Sequence, residues 1–78
     1  MAGAHQTKNP LYRALIKQYE SEIATAVATS IVFFDNPAGV GEHPNVIETI
    51  DLEIAKIADA EDKLHTLESY FVSKELRI

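Results

Sequence analysis

"FFDNPAGVGEHPN", Phe33–Asn45, decides how this 78-residue chain folds. It gathers two prolines and two glycines between long segments that contain neither residue beyond their first turns. Pro37 disfavours helical geometry in the residue before it, so a helix arriving from the N-terminal side stops near Asn36. Gly39 and Gly41 supply positive φ where the chain must reverse. The stretch therefore reads as a bend over residues 36–43, joining two helices that lie antiparallel as a hairpin.

The flanks carry matching start and stop signals. Asn9 is a good N-cap, and Pro10 suits the first helical position, where its missing N–H would be unpaired anyway. From there Tyr12, Leu15, Ile16, Tyr19, Ile23, Ala26, Val27 and Phe34 recur at three- and four-residue steps, one apolar stripe on a helix. This predicts a first helix over 9–35 behind a flexible tail, 1–8. "SIVFF", Ser30–Phe34, has strand propensity, but no second strand candidate exists to pair with it, so it reads as the last turns of this helix. On the other side Pro44 can occupy a first turn. Asn45 and Glu48 read as a capping box, Asn45 accepting from the backbone and Glu48 reaching back. Ile47, Ile50, Ile54, Ile57, Leu64, Leu67 and Phe71 continue the stripe, predicting a second helix over 44–76. Asp59 and Lys63 form an i,i+4 pair on it. The expected register sets Phe34 near Ile47, Val27 near Ile50, Ile23 near Ile54, Tyr19 near Ile57, and Tyr12 near Leu64 or Leu67. Arg13 and Lys17 then come alongside Glu61, Asp62 and Glu68. The fold class is all-α, one domain.

Two helices bury one seam, and a chain of this length builds only a small core. Ala24, Ala28, Ile31 and Val32 form further apolar surface on the first helix. A second helix that outruns the first leaves Tyr70 and Phe71 without a partner in the hairpin. Surplus of this kind marks an interface. The expectation is a homo-oligomer, most simply two hairpins in a four-helix bundle, with Ala24, Ala28, Ile31, Val32, Tyr70 and Phe71 at the contact.

The chemistry-bearing residues are sparse. There is no cysteine, hence no disulfide and no thiolate metal site. The formal charge is −5 at pH 7, with the acids concentrated after the loop. That balance lacks the basic footprint of a nucleic-acid binder. No run reaches the roughly 20 apolar residues of a membrane span, and "MAGAHQTKNP" has no signal-peptide core, so the expectation is a soluble protein that a signal peptide does not export. "GVGEHPN" leads into a helix N-terminus, where backbone N–H groups can hold an anion. The P-loop lysine and hydroxyl are absent, and Glu42 repels phosphate, so a turn is the better reading. Asp62-Lys63-Leu64-His65 has the acid-x-x-His spacing of di-iron bundles but no inward glutamates in register, so no metal is expected. The serines have no evident base and orienting acid. No cofactor is implied, and a lone hairpin lacks the water-excluding pocket an enzyme needs.

From Tyr19 to Phe71, the layout helix–"NPAGVGEHPN"–helix and the ending "KIADAEDKLHTLESYF" resemble small uncharacterised proteins of contractile-tailed phages, especially phages of marine cyanobacteria. The resemblance implies a viral setting, in the virion or the host cytoplasm, and a phage or host protein as a further partner. It carries no catalytic residues. The function expected is non-enzymatic protein–protein contact. The alternative is an oligomer that binds a nucleotide or other small ligand near the glycine loop. Thermal-shift screening with nucleotides separates the two.

Overall fold

A computed structural model describes residues 6–37 and 45–72. A short 3-10 turn, Gln6–Lys8, leads into α1, Pro10–Asp35, and α2 follows as Val46–Phe71. No strand is present among the described residues, and "SIVFF" lies within α1. The two helices pack along one another as a hairpin.

Both starts are built by local cap chemistry. The Leu11 amide donates to Asn9 Oδ1 at 2.8 Å, and Pro10 occupies the first turn. The turn ahead of Asn9 is tied on by its amide, which donates to the Gln6 carbonyl at 2.8 Å. Residues 6–8 are thus an ordered approach to the helix, within the stretch expected to be tail. At α2 the Glu48 amide donates to Asn45 Oδ1 at 2.9 Å. Glu48 Oε2 reaches back to the Asn45 side-chain amide, which donates to it at 3.1 Å. Asn45 is thus the N-cap and Val46 the first helical residue, the start that the capping box marks; Pro44 lies outside the described residues.

The far end of α2 departs from expectation. The helix stops at Phe71, where Val72 becomes extended (φ −113°, ψ 143°); the rest of the expected span, 73–76, lies outside the described residues. The reason is length matching. Each helix has 26 residues, and beyond Phe71 no α1 surface remains to pack on, while an unsupported helical turn is marginal in water. Phe71 is no overhang either. It shares a groove with Leu11, Tyr12, Leu15 and Leu67 at the α1 start.

The seam follows a strict 4-3 alternation in both helices. On α1 it runs Tyr12, Ile16, Tyr19, Ile23, Ala26, Ser30 and Phe33; on α2 it runs Val46, Ile50, Glu53, Ile57, Ala60, Leu64 and Leu67. Each of these is buried or half-buried. Steps of four and three average 3.5 residues, the repeat that keeps one helix face on its partner. The expected stripe drifted off this line. Phe34 is 65 % exposed and Phe33 only 6 %, and Ile47 is 78 % exposed. Adjacent residues on a helix point about 100° apart, so a stripe that mixes Ile16 and Ile23 with Val27 and Phe34 spans two arcs, and α2 covers only one.

Tyr12 and Leu67 line one groove, as expected. Further along, Lys63 Nζ stands 5.8 Å from the centre of the Tyr19 ring, and Glu22, Thr25 and Ala26 line one cleft with Glu53, Lys56 and Asp59.

Candidate functional site

Two seam positions are polar. Ser30 is buried and its hydroxyl donates to the Ala26 carbonyl at 2.8 Å, within its own helix. Glu53 is buried too, its carboxylate 2.8 Å from Lys56 Nζ, whose own side chain is largely exposed. Small or polar residues at Ala26, Ser30, Glu53 and Ala60 make a thin seam.

The flanks of the hairpin differ. On the first flank, Glu22 and Thr25 of α1 meet Lys56 and Asp59 of α2 around a shallow cleft of ≈ 280 Å³. Its charges are paired locally: Lys56 with Glu53, and Lys63 with Asp59 at 3.1 Å. The hydrogen bond to Asp59, and then its charge, raise the Lys63 ammonium above its ordinary value of 10.5, with a smaller contribution from Glu22. The cleft is smaller than the roughly 300–1,000 Å³ of typical ligand pockets, and both lysines beside it are already paired with carboxylates.

The second flank is formed by the residue that follows every other seam residue. On α1 these are Arg13, Glu20, Val27 and Phe34; on α2 they are Ile47, Ile54, Glu61 and Glu68. Because the helices run in opposite directions, both sets fall on the same side, away from the Glu22–Lys56 cleft. Near the loop the flank is apolar and open to solvent: Val27 is 39 % exposed, Ile31 51 %, Phe34 65 %, Ile47 78 % and Ile54 47 %. At the opposite end it is charged, with Arg13, Lys17 and Glu20 on α1 and Glu61, His65 and Glu68 on α2, all exposed. The apolar half is the candidate site. An apolar patch bounded by charge is the usual form of a protein contact surface.

The residues expected at an interface are distributed by this geometry rather than gathered. Ala24 and Ile31 belong to the apolar flank, one turn from Val27 and Phe34. Val32, 53 % exposed, lies on the cleft side of α1. Ala28 points directly away from α2. Tyr70 is exposed beside Phe71, their ring centres 6.4 Å apart. Val27, Phe34, Ile47 and Ile54, which the hydrophobic stripe places on the seam, are the main members of the open face. Their signal was available: Ala24, Val27, Ile31 and Phe34 repeat the 4-3 alternation one residue out of phase with Ala26, Ser30 and Phe33.

Gly39 and Gly41, and with them a ligand site at the glycine loop, lie outside the described residues. Asp62 and His65 are exposed on α2, with His65 Nε2 3.5 Å from Ser69 Oγ. No group of three or more His, Asp or Glu side chains suited to a metal ion occurs among the described residues. No helix among them is long and apolar enough to cross a membrane. Compared with protein families, with curated proteins and with solved structures, the chain matches none.

Proposed function

We propose that this protein is a non-enzymatic helical module that acts through self-association and protein–protein contact. The observation that carries the reading is the open apolar face at Val27, Ile31, Phe34, Ile47 and Ile54. Covering a Val, Ile or Phe side chain fully is worth about 1.5–3 kcal/mol. At the exposures observed, the five together offer roughly 4–8 kcal/mol per hairpin as an upper bound. A seam containing Ser30 and Glu53 leaves the isolated hairpin little core of its own, so covering this face adds substantially to what holds the fold. The resemblance of "NPAGVGEHPN" and "KIADAEDKLHTLESYF" to small proteins of contractile-tailed phages supplies the setting: a virion component or a host-directed accessory protein.

The test is sedimentation equilibrium of the wild type and of Phe34→Glu. Phe34 is mostly exposed, and an acid in the last turn of α1 costs that helix only about 0.3–1 kcal/mol, so the variant is expected to keep its helix signal in circular dichroism. The expected result is a concentration-dependent oligomer for the wild type and a monomer for Phe34→Glu. A variant that associates as strongly as the wild type removes this face from the reading.

A further inference from the structure

We propose that the occupant of the apolar face is a second copy of this chain, docked about a two-fold axis parallel to the hairpin, so that α1 of each protomer faces α2 of the other at the same height. The inference rests on the self-association reading and adds its geometry.

Charge selects this arrangement. The flank is apolar toward the loop and charged toward the other end, so two copies can meet in two simple ways. With the axis parallel to the helices, apolar half meets apolar half, and charged half meets charged half. With the axis perpendicular, Arg13, Lys17 and Glu61 of one copy are laid on Phe34 and Ile47 of the other, where a charge without a partner is strongly unfavourable. Within the parallel arrangement the signs agree. The α1 strip, Arg13, Lys17 and Glu20, is net positive. The α2 strip, Glu61, His65 and Glu68, is net negative with histidine neutral. The two-fold places each against the other across the interface. Arg13, Lys17 and Glu61 are exposed and form no ion pair within the hairpin among the described residues, which leaves them available to a second chain.

The apolar half fits the same assembly. Helices in a four-helix bundle use two seam positions and one flanking position of each heptad. Near the loop α1 provides Ser30 and Phe33 with Phe34, and α2 provides Ile50 and Glu53 with Ile54. The flanking position turns charged only at the other end, where the contact changes from apolar to ionic.

Two single charge reversals in the full chain, Lys17→Glu and Glu61→Lys, test the geometry by sedimentation equilibrium. Each alone places like charges together twice per dimer, and is expected to weaken self-association roughly 5- to 30-fold. An equimolar mixture of the two is expected to recover wild-type strength. In the heterodimer the two reversed positions face each other with opposite signs, and so do the unaltered Lys17 of one chain and the unaltered Glu61 of the other. Both pairs are then attractive, whereas no single chain in the mixture regains an internal pair. A mixture as weak as its components, alongside an associating wild type, overturns the parallel two-fold and leaves the self-association reading standing. A wild type that is monomeric at its highest soluble concentration overturns both, and assigns the face to a foreign protein.

Discussion

Replacing Glu53 by leucine is expected to stabilise the protein. The Glu53 side chain is 12 % exposed and sits on the seam line, while Lys56, its partner at 2.8 Å, is 65 % exposed. The ion pair is thus half in water and holds a solvated lysine in one geometry, an arrangement worth about 0–1 kcal/mol. Against it stands the cost of keeping a carboxylate on the covered side of the helix. Leucine at the same position adds apolar burial of up to about 1.5–3 kcal/mol, reduced because the adjoining cleft is open. Helix propensities of the two residues are close. The net expectation is a gain of about 1–2 kcal/mol, in line with replacements of buried ion pairs by apolar residues. In a domain of this size that raises Tm by about 4–8 °C for each kcal/mol. Urea unfolding followed by far-UV circular dichroism, at one fixed protein concentration so that association does not enter, measures it. Glu53→Leu less stable than the wild type by more than about 0.5 kcal/mol, a margin typical of neutral surface changes, would refute the reasoning. It would mean that the carboxylate has a favourable role not captured by its burial and its lysine. A stabilised variant that also changes its oligomer order would instead identify Glu53 as a residue that fixes pairing at some cost in stability.

Asn45→Ala removes the acceptor of the Glu48 amide and the partner of its carboxylate, and is expected to cost about 1 kcal/mol in the same urea assay; an unchanged midpoint would remove the cap from the account. Ser30→Ala deletes a hydroxyl whose bond stays within its own helix, while alanine has the better helix propensity, so stability should hold or rise by up to about 0.5 kcal/mol, and a clear loss would mean that the hydroxyl bonds across the seam. Ala28→Glu, on the side of α1 directly away from α2, is expected to leave the sedimentation behaviour unchanged where Phe34→Glu abolishes association; the reverse result would exchange the two faces. Lys63 titrates above 10.5 in the folded protein, so its contribution is complete below that pH and is lost as pH rises through the folded value. Asp59→Asn should bring the Lys63 titration down in an NMR experiment, and an unmoved titration would mean that another group raises it.

Cap chemistry makes the two helix starts legible in the sequence, because Asn9-Pro10 and Asn45 with Glu48 act within a few residues of themselves. The loop boundary at Pro37 is local in the same sense. The choice of buried face was not local. Val27, Phe34, Ile47 and Ile54 are as apolar as the residues that α2 and α1 actually cover, and a stripe assembled by hydrophobicity took them in. What distinguishes the true seam is an unbroken 4-3 step from Tyr12 to Phe33, and that line passes through Ser30, as its counterpart on α2 passes through Glu53. Polar residues on the line and apolar ones beside it concealed the phase. The candidate site went unseen for the same reason: its members were already spent on the core. The end of α2 was missed differently, since nothing in "YFVSKELRI" forbids helix. What ends it is the lack of α1 beyond Pro10.

A hairpin whose seam includes two alanines, a serine and a glutamate among its larger apolar residues has a thin core, and under the self-association proposed above a second copy would supply part of what it lacks. Its folded fraction would then depend on its own concentration. At low synthesis such a chain would spend more time open to proteases, and at high synthesis mass action would close it. A protein built in that way would report its own dosage, reaching its paired form only after enough of it had been made.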